Sequence, residues 1–344
     1  MPSGTGRRRV VVVGAGTVGS RAVELLREVA GVEPAAVVVR DAGKERSFAG
    51  WRDLVTADAA AADDADVLVE VAGGTGAAAD LALAALARGA AVVTANKAAL
   101  AERWDEFAPY LREGLVWCEA AVMAGAPVVG ALTGALRGCR PVTLHAVLNG
   151  TCNAILSDME AGSSYEAALR RAQEAGFAEA DPTLDVAGID AAHKVALLAR
   201  LAFDPGLTFV DVRAATRGVA GLPREVVIAH AARGRGVRLV ASVFPTEAGW
   251  RAAVRPVSLP GGHPLVVSGP ANALVFTGRP LGEVTVRGPG AGGGATATAV
   301  VSDVMAALAG GRGHAPVANA ADAGAALAVA GPSALPAGAE AVAA

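Results

Sequence analysis

Cysteine, aromatic residues, lysine and long apolar runs are all scarce in this chain, and each scarcity excludes something. Three cysteines, Cys118, Cys139 and Cys152, stand at unrelated spacings among 344 residues. An odd, scattered set is no disulfide framework and fits a reducing compartment. The five histidines are scattered too, so no paired spacing marks a zinc site. Aromatics supply 4% and charged residues 18% of the chain, which leaves Ala, Val and Leu to fill the interior. Uninterrupted apolar runs are missing despite a mean hydropathy of +0.43. The longest, Ala120–Leu136, is broken by Gly125, Pro127 and Gly130 and falls short of the ~20 residues of a bilayer span. No membrane partner is expected. Thirty basic against thirty-three acidic side chains leave −3, without the broad positive field that nucleic-acid binding needs.

Lysine is the most telling shortage. Only Lys44, Lys97 and Lys194 stand among thirty basic residues, as the Ala, Gly and Arg excess of a GC-rich genome would produce. Arg stays protonated, whereas Lys can exchange a proton. Lys97 and Lys194 are therefore candidates for proton chemistry, and Lys44 is no better than a chance survivor. At the amino end, Arg7-Arg8-Arg9 and Val10–Val13 imitate an export signal. The apolar stretch is four residues long before Gly14, against the 7–15 such a signal requires. A buried first strand in a cytoplasmic protein is the expectation.

What is present has a clear rhythm. Apolar runs at Arg9–Val13, Ala35–Val39, Val67–Val71, Ala90–Thr94 and Leu115–Cys118 alternate with helical stretches at Thr17–Ala30, Ala77–Ala87 and Ala98–Arg112. Such interleaving implies an α/β domain with a doubly wound parallel sheet of Rossmann type. After Pro141 the pattern changes. A strand at Pro141–Leu148 leads to helices at Thr151–Glu160, Tyr165–Ala175, Ile189–Phe203 and Pro223–Arg233. Strands are then expected at Arg238–Phe244, Trp250–Ser258, Leu265–Ser268, Leu274–Thr277 and Glu283–Arg287, giving an α+β second domain. Gly288–Gly294 opens an apolar helix through Leu308. The expected division is therefore a dinucleotide-binding domain over 1–140 completed by 288–310, a substrate domain over 141–287 and a loose Ala-rich tail over 311–344. Asp58–Asp66 reads as a low-complexity helix or loop surface.

Five segments carry chemistry. Gly14-Ala15-Gly16-Thr17-Val18-Gly19 follows a strand and opens a helix, so glycine permits a tight turn and the helix N-terminus faces a pyrophosphate. The second strand ends in Arg40-Asp41; an acid there holds a ribose hydroxyl and an Arg a 2′-phosphate. Arg40, with Lys44 beyond, favours NADP, and Asp41 keeps NAD open. Thr94-Ala95-Asn96-Lys97 ends the fourth strand, bringing an amide and an ammonium near the nicotinamide end, or else merely capping a helix. Asn149-Gly150-Thr151-Cys152-Asn153 starts a helix, suited to a carboxylate or carbonyl oxygen and equally to simple capping. Cys152 is read as a spectator, since no histidine follows at a suggestive distance. Finally, Glu179, Asp181, Asp185 and Asp190 precede Lys194 in a charge-poor chain. Asp190 and Lys194, four apart, share a helix face. An ammonium so held suits donation to an alkoxide, and the other acids suit a substrate ammonium. Together these groups describe a site for an amino-acid aldehyde and its alcohol.

The segments Val13–Gly19, Thr94–Lys97, Glu119–Pro127, Asn149–Leu156, Gly176–Lys194, His263–Leu265 and Gly288–Asp303 resemble, in order, those of homoserine dehydrogenase. The resemblance implies reduction of aspartate 4-semialdehyde to homoserine, a step of amino-acid biosynthesis, with NADPH or NADH. It implies Lys194 as proton donor supported by Asp190, Lys97 between cofactor and substrate, and Glu179 and Asp185 as substrate ligands. It further implies a monovalent cation, sodium or potassium, held by Glu119 and the carbonyls of Val122, Ala124 and Ala126, and a homodimer formed through the second domain. Two departures stand out: Ala154 where the family has an aromatic, and Phe177 where it has tyrosine. They keep open a same-fold reductase for a different amino aldehyde or ketone. A non-catalytic dinucleotide-binding protein is the alternative of another class, against which Lys97, Asp190 and Lys194 argue.

Overall fold

A computed structural model describes residues 8–317, 323–330 and 335–342. Arg7 of the basic triplet lies outside them, as do 318–322, 331–334 and 343–344 of the tail. The chain divides into two compact units. One holds the residues up to Gly130 together with Gly292–Pro316; the other holds Ala131–Ala291 and the described residues from Val317 onward.

The first unit is built on six parallel strands: β1 (Arg8–Val13), β2 (Val32–Val38), β3 (Val55–Thr56), β4 (Val67–Glu70), β5 (Ala91–Thr94) and β6 (Val116–Trp117). Their order, β3-β2-β1-β4-β5-β6, is the doubly wound arrangement expected of alternating apolar strands and helices. Val10, Val12, Val69 and Val93 pack with Ala22, Val23 and Leu26 of the Thr17–Leu26 helix and with Ala297, Val300 and Val304 of the Gly293–Leu308 helix. The Gly293–Leu308 helix thus completes a core begun at the amino-terminal strand. Local detail departs from the sequence pattern. The first helix stops at Leu26 rather than Ala30, where Gly31, at φ 77°, turns the chain into β2. Helix Ala98–Arg112 is two helices, Lys97–Glu102 and Trp104–Glu113, broken at Arg103. The guanidinium of Arg103 turns aside to Thr75 O, Asp80 and Glu106, and propensity alone does not register that.

The second unit is an antiparallel sheet of β7 (Arg140–Val147), β8 (Arg235–Thr246), β9 (Gly249–Pro260), β10 (Ala271–Arg279), β11 (Gly282–Pro289) and β12 (Glu340–Ala341). Their order is β11-β10-β7-β8-β9-β12. Helices Gly150–Glu160, Ile189–Ala202 and Arg224–Ala231 pack on this sheet. The Ile189–Ala202 helix is buried from Ala191 to Ala202, which explains its apolar circumference. The Ala131–Ala135 segment packs on that helix, so the division falls at Gly130 instead of 140. Leu265–Ser268 is not a strand. Val266 N–H bonds to the His263 carbonyl and Val267 N–H to that of Leu265, and the apolar side chains that imitate a strand fill the core beside Val240 and Val257. Nor is the tail wholly loose. Helix Ala323–Ala330 packs on β7 and β8, and Glu340–Ala341 pairs with β9. Edge pairing uses backbone groups, which composition does not reveal.

His145 on β7 stands opposite Ser242 on β8, with Nδ1 and Oγ 2.9 Å apart. Burial, with His263 and Arg255 nearby, pushes the imidazole down to about 4. The folded state therefore binds fewer protons than the unfolded chain, whose histidine titrates near 6.5. Stability from this group is complete above pH 6.5 and is lost as the pH falls toward 4. Urea denaturation across that window should show wild-type stability dropping by up to about 3 kcal/mol from this group. A His145→Gln protein should show a shallower slope; equal slopes would rule the histidine out.

Candidate active site

The first glycine of the amino-terminal motif, Gly14, turns sharply off β1 at φ 102°. A Cβ at Gly14 would lie 2.7 Å from the backbone N and Cα of Ala72, and one at Gly19 would lie 2.0 Å from the Gly14 carbonyl oxygen. These two glycines make the turn close-packed. At Gly16 a Cβ would meet nothing within 4 Å, and the helix beginning at Thr17 and Val18 has no side-chain cap. Open space before uncapped helix amides suits a phosphate group. Beyond β2, Arg40 and Asp41 are exposed. Asp41 Oδ1 accepts from Gly43 N–H at 2.9 Å and the Asp41 carbonyl accepts from Arg46 at 2.8 Å, so this acid closes a turn.

At the ends of β4 and β5 the structure assembles a network. Thr94 Oγ1 donates to Glu70 Oε2 at 2.8 Å and accepts from Asn96 N–H at 2.9 Å. Asn96 Oδ1 accepts from Ala99 N–H at 3.0 Å, and Nδ2 donates to the Gly74 carbonyl at 2.7 Å. Asn96 thus caps the helix that follows. Lys97, half-buried, opens that helix. Glu70, 1% exposed, also accepts from Ala72 and Gly73 N–H at 3.0 and 2.9 Å. Sequence reading missed Glu70. Its signal was an acid ending the wholly apolar run Val67-Leu68-Val69, just before Gly73-Gly74.

Glu119 lies in the first unit, where Oε1 accepts from Val128 and Val129 N–H at 2.7 and 2.8 Å and Oε2 from Gly130 N–H at 2.6 Å. Its own N–H donates to Asp303 Oδ2 at 3.0 Å. Burial raises the Glu119 carboxyl and pushes Asp303 up to about 7. Ala124 turns the chain here at φ 49°, following Val122 and preceding Ala126. Among the described residues no group of three His, Cys, Asp or Glu is placed to hold a metal ion, so a cation here would depend on backbone carbonyls.

The second unit gathers most of the remaining candidates around the start of helix Gly150–Glu160. Lys194 is 7% exposed, and its Nζ donates to the Leu148 carbonyl at 2.7 Å and to Asp190 Oδ2 at 2.9 Å. Asn149 caps the helix through Oδ1 to Cys152 N–H. Its Nδ2 donates to Asp185 Oδ1 at 2.7 Å and to Asp190 Oδ2 at 2.8 Å. Thr151 Oγ1 lies 2.6 Å from the Phe177 carbonyl and 3.2 Å from Asp185 Oδ2. Burial raises the Asp185 carboxyl, against the hydrogen bonds from Asn149 and Thr151. Cys152 is fully buried, and burial pushes its thiol well up, against the acidified thiol that a helix dipole alone suggests. Two acids of that stretch stand exposed: Asp181, whose Oδ1 accepts from Thr183, and Glu179, on the loop carrying Phe177, itself 45% exposed. The arrangement can hold a cation against Asp185 and deliver a proton from a buried ammonium.

Comparison with known proteins bears on both units. Residues 14–110 match the family model for the NAD-binding domain of homoserine dehydrogenase, and residues 127–305 match the model for homoserine dehydrogenase itself. The chain belongs to the homoserine dehydrogenase family. The homoserine dehydrogenase of a Synechocystis strain is 38% identical over 316 residues, covering 86% of this chain and 72% of that protein. That of Corynebacterium glutamicum is 36% identical over 319 residues, covering 87% and 71%. The crystal structure of a homoserine dehydrogenase from Thiobacillus denitrificans superposes with a TM-score of 0.79 at 34% identity, covering 87% of this chain and 72% of that one. A hyperthermophilic archaeal homoserine dehydrogenase solved with NADPH gives 0.75 at 28% identity, covering 89% and 99%. These matches support homoserine dehydrogenase function, an NAD(P)-dependent oxidoreduction at a CH–OH group within amino-acid biosynthesis. The glycine turn and Lys97 fall in the first matched segment, and Asn149 through Lys194 in the second. Glu119, Val122, Ala124 and Ala126 fall between the two. No helix among the described residues is long and apolar enough to cross a membrane.

Proposed function

We propose that this homoserine dehydrogenase reduces aspartate 4-semialdehyde to L-homoserine, prefers NADP, and uses Lys194 as its proton donor. One observation carries the reading. A buried ammonium donates to the Leu148 carbonyl and Asp190 at 2.7 and 2.9 Å, and an ammonium has three donors. The third is available to the oxygen of a bound aldehyde. When bound, the reduced nicotinamide dinucleotide supplies a hydride to the carbonyl carbon. Lys194 Nζ delivers the proton to the oxygen as its charge develops, and Asp190 keeps the ammonium oriented. Asp185, held by Asn149 and Thr151, takes the substrate ammonium, and Glu179 acts on the same substrate from the exposed loop. The amides of Gly150 and Thr151, at the start of that helix, receive a carboxylate. In the first unit, Gly14, Gly16, Thr17, Val18 and Gly19 receive the pyrophosphate, while Thr94, Asn96 and Lys97 line the nicotinamide end.

For the cation, the three amides on Glu119 occupy three of about four acceptor positions of a carboxylate. The fourth, with the carbonyls of Val122, Ala124 and Ala126, is assigned to sodium or potassium. A homodimer and a cytoplasmic location complete the proposal. The exposed ring of Phe177 and the small side chain at Ala154 favour one second reading, a same-fold enzyme for a different amino aldehyde. Spectrophotometric turnover of aspartate semialdehyde and homoserine, beside other amino aldehydes, with each dinucleotide decides between them. Inert aspartate semialdehyde would sink the first reading.

Cofactor choice rests on Arg40. A guanidinium pairs with a phosphate in a charge-assisted contact worth about 1.5–3 kcal/mol. Arg40→Ala should therefore raise the KM for NADPH about tenfold or more and leave that for NADH unchanged. Equal shifts for both dinucleotides would remove Arg40 from this role.

A further inference from the structure

We propose that Glu70 is a positioning residue for the dinucleotide, shaping the loop that supports the glycine turn and, through Thr94, the segment that opens at Lys97. The inference rests on the first unit being the dinucleotide-binding one and goes beyond it by naming a residue that composes the site from behind. Sheet register brings the parts together: Val13 pairs with Glu70, and Glu70 with Thr94. Three neighbouring strands thus end level, at the carboxyl edge where ligands of such sheets bind.

β4 is buried throughout, and an isolated carboxylate is costly there unless hydrogen bonds replace its water. Glu70 has three. Oε1 collects the Ala72 and Gly73 amides, and Oε2 takes the Thr94 hydroxyl. Each end of the short loop 72–74 is therefore gripped: its amides by Glu70, and its Gly74 carbonyl by Asn96 Nδ2. Ala72 in that loop is the residue a Cβ at Gly14 would strike at 2.7 Å. Released, the loop would no longer define the space above Gly14. Asn96 N–H would also lose the oriented Thr94 oxygen that it bonds at 2.9 Å. An apolar side chain at 70 would fill β4 equally well, so burial alone gives no reason for an acid there; the loop does.

The test uses NADPH and NADH binding by fluorescence titration, thermal melting, and homoserine kinetics at saturating dinucleotide. Glu70→Gln keeps an oxygen for the two amides and should bind NADPH within about threefold of wild type. Glu70→Ala should weaken NADPH at least about tenfold, with the KM for homoserine unchanged within about twofold. Should Glu70→Ala fail to fold, Thr94→Val decides, with an expected weakening of about three- to tenfold. A folded variant that melts lower and binds NADPH as wild type does would overturn the proposal. So would a loss shared equally with the homoserine KM. Wild-type protein that binds NADPH without turning over homoserine overturns the proposed reaction and leaves this inference standing; wild-type protein that binds neither dinucleotide overturns both.

Discussion

Lys194→Ala is expected to lower turnover by about 10²–10⁴-fold, the range that a positioned general acid supplies, while NADPH binding stays at its wild-type value. The ammonium is buried, fixed by the Leu148 carbonyl and Asp190, and stands one helical turn from the acid that orients it. Alkoxide is far more basic than a lysine amine, so the transfer runs downhill and the chemical step should suffer most when the donor is removed. Lys194→Arg should not restore activity, because a guanidinium stays protonated and its fork does not fit a single-point contact. Removing the ammonium also strips Asp190 of a cationic partner, although Asn149 Nδ2 still donates to it at 2.8 Å. Thermal melts must therefore accompany the kinetics. A folded Lys194→Ala protein retaining more than about a tenth of wild-type turnover would remove Lys194 from proton transfer.

Legibility in the sequence followed the range of the interaction. Val10–Val13 and the glycines after it are a local pattern, and strand, turn and helix lie where that pattern implies. Asp190 and Lys194 share a helix, so their spacing predicts a contact that the structure holds at 2.9 Å. Groups joined by tertiary pairing were harder to see. Asn149 reaches Asp185 and Asp190 across 36 and 41 residues. The helix cap at Asn149 was legible, but its second role as the link between the two acids was not. Glu70 and Thr94 meet only because β4 and β5 are neighbours in register, which no linear spacing encodes. Leu265–Ser268 misled for the opposite reason: Leu265 and Val267 alternate as a strand would, yet their periodicity reports burial in a core. Within the acidic stretch, Glu179 and Asp181 stand exposed while Asp185 and Asp190 are half-buried, since nearness in sequence does not bring a loop residue inward.

Substitution within the glycine turn should separate folding from binding. Gly19→Ala sets a Cβ 2.0 Å from the Gly14 carbonyl oxygen, a backbone contact that no rotamer relieves. The first helix would have to move off β1, with a loss on the order of 3 kcal/mol or more in chemical denaturation and dinucleotide binding lost with it. Gly16→Ala is the opposite case. Its Cβ meets nothing within 4 Å, and its φ of −76° is one that alanine adopts freely. Stability should therefore match wild type within about 0.5 kcal/mol. The space that the methyl group enters is the space assigned to the pyrophosphate, so NADPH affinity should fall on the order of 10- to 100-fold, equivalent to about 1.4–2.8 kcal/mol. Two neighbouring glycines would then fail for different reasons, one by collision within the protein and the other by collision with the ligand. A Gly16→Ala protein that is stable and binds NADPH as tightly as wild type would show that the phosphates take another path, and the cofactor assignment would have to leave this turn.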